Sequence, residues 1–211
     1  MPIIGIIIPF MKPKKQTLSN TLFSKARQGV LGLLYTRPDS DFHTNEIIRL
    51  TQTGSGAVQR ELKNLTTVGL LIVNQVGNQK RYRANQHTSF YFELRGLIIK
   101  TFGLADILRD TLDPLKKQID IAFIYGSIAK QEDTADSDID LMLIGKNLTY
   151  ADIFHLIEKA EKKLGRKINP TFYSIPEWVR KNKEGNHFLT KIQKQPKIFL
   201  IGNEDELNKV K

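Results

Sequence analysis

The chain has 211 residues, 40% of them hydrophobic, with no cysteine and a formal net charge of +10. It can bury one sizeable core or two modest ones, cannot be a disulfide scaffold, and suits a reducing cytosol. The charge is uneven: residues 1–100 hold 14 Lys and Arg against 5 Asp and Glu, whereas residues 101–211 hold 18 against 17. A basic half of that kind attracts phosphate polyanions, nucleic acid foremost.

The opening stretch MPIIGIIIPF is apolar but falls far short of the ~20 residues a spanning helix needs. Pro9 interrupts it, and the basic residues follow it, the reverse of a signal peptide. The expectation is a cytoplasmic protein with no membrane partner, residues 1–18 forming an extension and Met11 offering an alternative start. From Leu22 to Tyr35, apolar residues at 22, 23, 26, 30, 33 and 34 make one greasy helical face, which RPDSD then stops. Thr44 is positioned to cap a short helix over Asn45 to Thr51, and TGSG turns into a third helix over Ala57 to Val68. Two helices across a tight glycine turn make a helix-turn-helix unit. On the third helix Val58, Leu62 and Leu65 share one face, leaving Gln59, Arg60 and Lys63 together on the other. GLLIVNQV, the Gly77-Asn78 turn and QKRYRA then read as a hairpin carrying Lys80, Arg81 and Arg83, a basic wing after a recognition helix. The order of these pieces predicts contact with double-stranded DNA. Next, Phe90, Leu94, Leu97, Ile98 and Phe102 form a stripe ending at Gly103, which either packs between the halves or pairs with a second copy in a homodimer.

IAFIYGS is a buried strand running into a turn at Gly126-Ser127, from which IAKQ starts a helix. A glycine lets backbone N–H groups approach a phosphate, Ser127 adds a hydroxyl, and a helix start favours negative charge. Asp138 and Asp140 alternate along DIDLMLIG, so both carboxylates point the same way. At ~4 Å their repulsion is of order 4 kcal/mol at an effective dielectric of 20, and a hard divalent ion such as Mg²⁺ reverses its sign. A calcium-binding loop is excluded because Leu141 stands where glycine is needed and Asn147 where the bidentate Glu belongs. A P-loop is excluded by Asp140 and Asn147 at its first-glycine and Ser/Thr positions, and the four scattered histidines make no zinc site.

YGSIAKQEDTADSDIDLML resembles the Gly-Ser, ten-residue gap, Asp-x-Asp signature of the DNA polymerase beta-type nucleotidyltransferase superfamily, especially its minimal branch. Across nearly the whole chain the order of parts is similar to that of a winged-helix regulator fused to such a domain. The resemblance implies an α/β (α+β) fold: a winged helix-turn-helix domain over 19–87, a connecting helical segment over 88–115, and a nucleotidyltransferase-like domain over 116–211. The last would hold a small mixed sheet flanked by helices. It further implies Mg²⁺ on Asp138 and Asp140, an NTP, ATP first, on Gly126 and Ser127, and phosphate contact by Lys130. Active relatives carry a third carboxylate on the strand after the helix Tyr150 to Leu164; here KINPTFYS places Asn169 in that slot, with Glu177 the nearest replacement. The leading expectation is a transcriptional regulator whose second domain binds Mg-NTP as a sensor or weak transferase. The alternative is an active enzyme transferring NMP to a nucleic acid, a toxin or another acceptor protein.

Overall fold

The computed structural model describes residues 18–210; the expected extension and the Met11 start fall on residues outside that range, except that Leu18 already opens a helix. In chain order the elements are α1 (Leu18–Leu22), α2 (Lys25–Tyr35), β1 (Phe42–His43), α3 (Thr44–Thr51), α4 (Ser55–Thr67), β2 (Leu71–Val76), β3 (Gln79–Ala84) and α5 (Tyr91–Ile98). A π turn (Ile99–Gly103), α6 (Ala105–Leu112), a 3₁₀ turn (Asp113–Leu115), β4 (Ile119–Tyr125), α7 (Gly126–Lys130) and β5 (Ile139–Gly145) follow. The chain continues through α8 (Tyr150–Leu164), β6 (Ile168–Ser174), α9 (Ile175–Lys183), α10 (His187–Gln193), β7 (Ile198–Ile201) and α11 (Glu204–Lys209).

Local chemistry sets the boundaries. The helix expected over 22–35 is two helices, because Ser24 leaves helical geometry and its hydroxyl accepts from the Arg27 N–H, capping α2. Thr44 is not the cap of α3. His43 is, accepting from Asn45 N–H through Nδ1 while Glu46 reaches back to the His43 N–H. Tyr35, Val30 and Leu34 from α2, Ile47 from α3, and Val58, Leu62 and Leu65 from α4 are buried in one core with Leu71 and Ala84 of the hairpin. Gly77, in the left-handed region, closes β2 onto β3, and the short β1 adds to the other side, giving a three-stranded antiparallel sheet in the order β1-β3-β2.

The second sheet is mixed, in the order β6-β5-β4-β7, with β5 and β6 parallel and the other pairs antiparallel. The two central strands are buried on both faces, which is why their sequences read as near-continuous apolar runs. Ala122, Ile124, Leu141 and Leu143 face one core closed by α6 and α8; Ile121, Phe123, Met142 and Ile144 face another closed by Trp178 of α9, Leu189 and Ile192 of α10, and Leu207 of α11. The architecture is a mixed α/β one with small sheets flanked by helices.

The stripe from Phe90 to Phe102 joins the two parts rather than lying free: Ile98 is buried in the N-terminal core and Ile99 in the core of α6 and α8. The π turn rotates the chain between the two directions, and Gly103 sits where a Cβ would press on the Ile98 carbonyl at 2.9 Å. Phe90, expected on the apolar stripe, is exposed, because α5 begins only at Tyr91.

A buried ionic cluster ties the parts together. Asp133 accepts from Arg95 at 2.7 Å and from Arg166 at 2.9 Å, and all three side chains are at most 1% exposed. The same arginines spend their other N–H groups on the C-terminal carbonyls of α2: Arg95 on Tyr35 and Arg166 on Thr36. Removing one partner from such a cluster strands a charge away from water. Asp133→Ala should therefore lower the unfolding free energy by about 3–5 kcal/mol, measured by urea denaturation; a loss below about 1 kcal/mol would mean that the arginines find water instead.

Candidate functional site

At one end of the mixed sheet β4 finishes while β5 and β6 begin. Tyr125 pairs with Asp140 across β4 and β5, and Asp140 pairs with Asn169 across β5 and β6. Asp138 and Asp140 continue the row of Met142 and Ile144 along one face of β5, past the point where α9 and α10 cover it. The structure thus brings Gly126, Asp138, Asp140 and Asn169 into one place.

Gly126 is there for a steric reason. Its φ is +74°, and a Cβ at this position would overlap the Asp140 carboxylate. The chain can therefore turn from β4 into α7 directly beneath the acids. α7 is a single turn of five residues with Ser127 second and Lys130 last. The macrodipole invoked for its start is correspondingly small, and what the turn offers is the bare Gly126 backbone and the Ser127 hydroxyl.

Burial, and then the neighbouring Asp138, push the Asp140 carboxyl above the ordinary carboxylate range, while the Asn169 amide pulls it back. Asn169 itself donates Nδ2–H to Asp138 at 3.1 Å. The amide thus partly neutralises the pair that a third carboxylate would have charged further. Two convergent carboxylates fit one hard divalent ion that keeps water or phosphate oxygens in its remaining positions. Among the described residues no group of three His, Cys, Asp or Glu side chains is placed to hold a metal by itself.

Glu177 does not complete the site. Its carboxylate accepts from the Ser174 N–H and hydroxyl as part of the α9 capping box, which holds its own pKa below the usual range. Ser174 pairs with Gly145, at the opposite end of β5 from Asp140. Residues that sequence reasoning missed do line the site: the Tyr125 hydroxyl shares a hydrogen bond of 3.2 Å with Thr171, and burial raises the phenol's pKa, so it remains neutral. Thr171 lies two residues beyond Asn169 on the same strand, a period-2 signal that was present but unremarkable among other threonines. Arg166, three residues before Asn169, donates to the Ser137 carbonyl through both Nε and an Nη, fixing the residue before Asp138.

In the N-terminal part, Gln59, Arg60 and Lys63 are exposed on α4, and Lys80 and Arg83 are exposed on β3. Gln59, Lys63 and Lys80 line a groove between α4 and the hairpin with Thr44 and Tyr82. Arg81 differs from the other five: it donates to the Asp41 carboxylate at 2.7 Å and to the Asp41 carbonyl, so its charge is partly engaged in holding the chain before β1.

Residues 108–195 match the family model of Polymerase beta, Nucleotidyltransferase, a span that includes Gly126, Ser127, Asp138, Asp140 and Asn169. This segment is a nucleotidyltransferase-type domain. No curated protein matches the chain. Among solved structures, a chain of the "Crystal structure of the toxin-antitoxin with AMP-PNP" is similar at 13% identity and a TM-score of 0.37, over 50% of this chain and 79% of that one. No described helix is long and apolar enough to cross a membrane.

The direction of the Asp140 shift carries a sign. Its folded value lies above the unfolded ~3.9, so between the two the folded state holds the extra proton and stability falls as pH rises. Asp140→Asn should raise the melting temperature near neutral pH. That gain should shrink on acidification through the folded pKa and vanish below about pH 4, in paired thermal melts of parent and variant.

Proposed function

We propose that this protein binds double-stranded DNA through α4 and the β2–β3 hairpin and binds Mg-NTP at Gly126, Ser127, Asp138 and Asp140, acting as a nucleotide-responsive regulator with weak transferase chemistry. In this reading residues 19–87 form a winged helix that contacts DNA, 88–115 join it to the remainder, and 116–211 hold the nucleotide. The observation that carries it is the pair of carboxylates above a side-chain-free turn, with an amide where a third acid would stand.

The chemistry follows from what these groups can and cannot do. Asp138 and Asp140 would hold Mg²⁺, which would supply neutralisation of phosphate charge. The Gly126 backbone N–H and the Ser127 hydroxyl would donate to phosphate oxygens. Lys130 adds a point charge from the end of α7. Asn169 cannot accept a proton from an attacking hydroxyl, and a general base typically contributes 10²- to 10⁴-fold. Binding should therefore survive while turnover is slow.

The test is a calorimetric titration of ATP with and without Mg²⁺, followed by α-labelled ATP turnover. Mg-dependent binding should be seen in the parent and lost in Asp138→Asn, and Asn169→Asp should raise label transfer once an acceptor is supplied. Unchanged Mg-ATP affinity in Asp138→Asn would remove the pocket. Rapid pyrophosphate release by the parent, indifferent to Asn169→Asp, would favour a fully active enzyme instead.

For DNA, Arg60→Ala should cost about 1–3 kcal/mol on the cognate operator with little effect on random sequence, whereas Lys80→Ala should weaken all duplexes alike and reduce the salt slope by about 1. Gel-shift titrations at several salt concentrations distinguish the two patterns. Equal loss on operator and random DNA for Arg60→Ala would take α4 out of the base-reading role.

A further inference from the structure

α10 places an aromatic ring against Tyr125, the cross-strand partner of Asp140, and nucleotide binding at Asp138 and Asp140 gives that ring no role. Phe188 is the second residue of α10, whose next turn anchors in the core through Leu189 and Ile192. Its ring meets Tyr125 edge to face, with centroids 6.0 Å apart and planes at 79°. Tyr125 is buried, directly precedes Gly126 and pairs with Asp140, yet Phe188 remains 39% exposed. Among the described residues the other exposed aromatic rings are elsewhere: Tyr150 and Phe154 stack on each other on α8, which closes the opposite face of the sheet, and Phe90 and Phe92 flank the start of α5.

Leaving a phenylalanine this open forgoes burial that the core could have provided, while the backbone that carries it is capped. The Asn186 side chain accepts from the Phe188 and Leu189 N–H groups at 3.1 and 3.2 Å, which fixes the backbone that carries it. An edge-to-face contact with Tyr125 engages only part of the ring surface and leaves π area for another planar group. One ring contact and one cross-strand pairing link Phe188 to Asp140 through Tyr125, the residue that leads into Gly126.

We propose that Phe188, seated against Tyr125, is the platform on which the nucleobase of the bound NTP stacks. The platform rests on the Mg-NTP reading and adds the base subsite to it. Stacking recognises the π-face rather than the hydrogen-bonding edge, so Phe188 is a positioning residue that favours a nucleotide over its bare polyphosphate without selecting one base.

The test compares Mg-ATP with Mg-tripolyphosphate, which shares the phosphates but has no base, by calorimetry on the full chain. Phe188→Ala and Phe188→Leu should weaken Mg-ATP about tenfold and leave Mg-tripolyphosphate unchanged, while Phe188→Tyr should restore parental affinity. Leucine keeps apolar contact with Tyr125 but has no ring, so its loss together with the tyrosine rescue separates stacking from packing. Parental Mg-ATP affinity in Phe188→Ala, or equal loss of both ligands, would overturn the platform while leaving the carboxylate pocket standing. A parent protein that binds neither ligand would overturn both.

Discussion

Asp133 and the two arginines that share it are the constraint on which the rest of the arrangement depends. A carboxylate with no exposure is tolerated only when its charge is matched and its lone pairs are filled, and here two guanidinium groups do both. Because Arg95 comes from α5 and Arg166 from the entry to β6, satisfying Asp133 fixes three distant segments at once. Each arginine also donates to a carbonyl at the C-terminal end of α2, where a helix C-terminus welcomes positive charge. Arg37, next in line, donates to the Leu164 carbonyl at the end of α8 at 2.6 Å, extending the same seam.

That seam reaches the carboxylate site through the loop between α7 and β5. Asp133 and Ser137 both lie on it, Arg166 grips both, and Asp138 is the next residue. The placement of Asp138 is thus tied to contacts with α2 and α5, elements of the N-terminal part. The two parts are therefore joined by a continuous set of hydrogen bonds from α2 through Arg166 to Ser137.

At the site itself, charge is balanced to an intermediate level. Two acids above a bare glycine repel one another, and burial raises Asp140 further. The Asn169 amide relieves some of this by donating to Asp138. A third carboxylate in that slot would deepen the need for cations and supply a base; an amide lowers the first and removes the second. The same substitution therefore bears on stability, metal demand and chemistry together.

Much of this was legible from residue order alone. Apolar periodicity placed α4, and near-continuous apolar runs placed β4 and β5, because a buried face shows its period and a strand buried on both faces shows an unbroken run. The Gly-Ser turn and the alternating acids marked out in residue order the place where Gly126, Asp138 and Asp140 come together. Other features were decided only by tertiary structure. Asp133 reads like any residue of an acidic turn until Arg95 and Arg166, 38 and 33 positions away, converge on it. Glu177 looked like a spare acid, but strand register puts it at the far end of β5 and a capping box occupies it. Nothing in residue order singles out Phe188, whose ring the packing leaves open against Tyr125. The physical reason is common to all three: local pattern reports which face of an element is buried, whereas the partner of a charge or a ring depends on long-range register that no local period encodes.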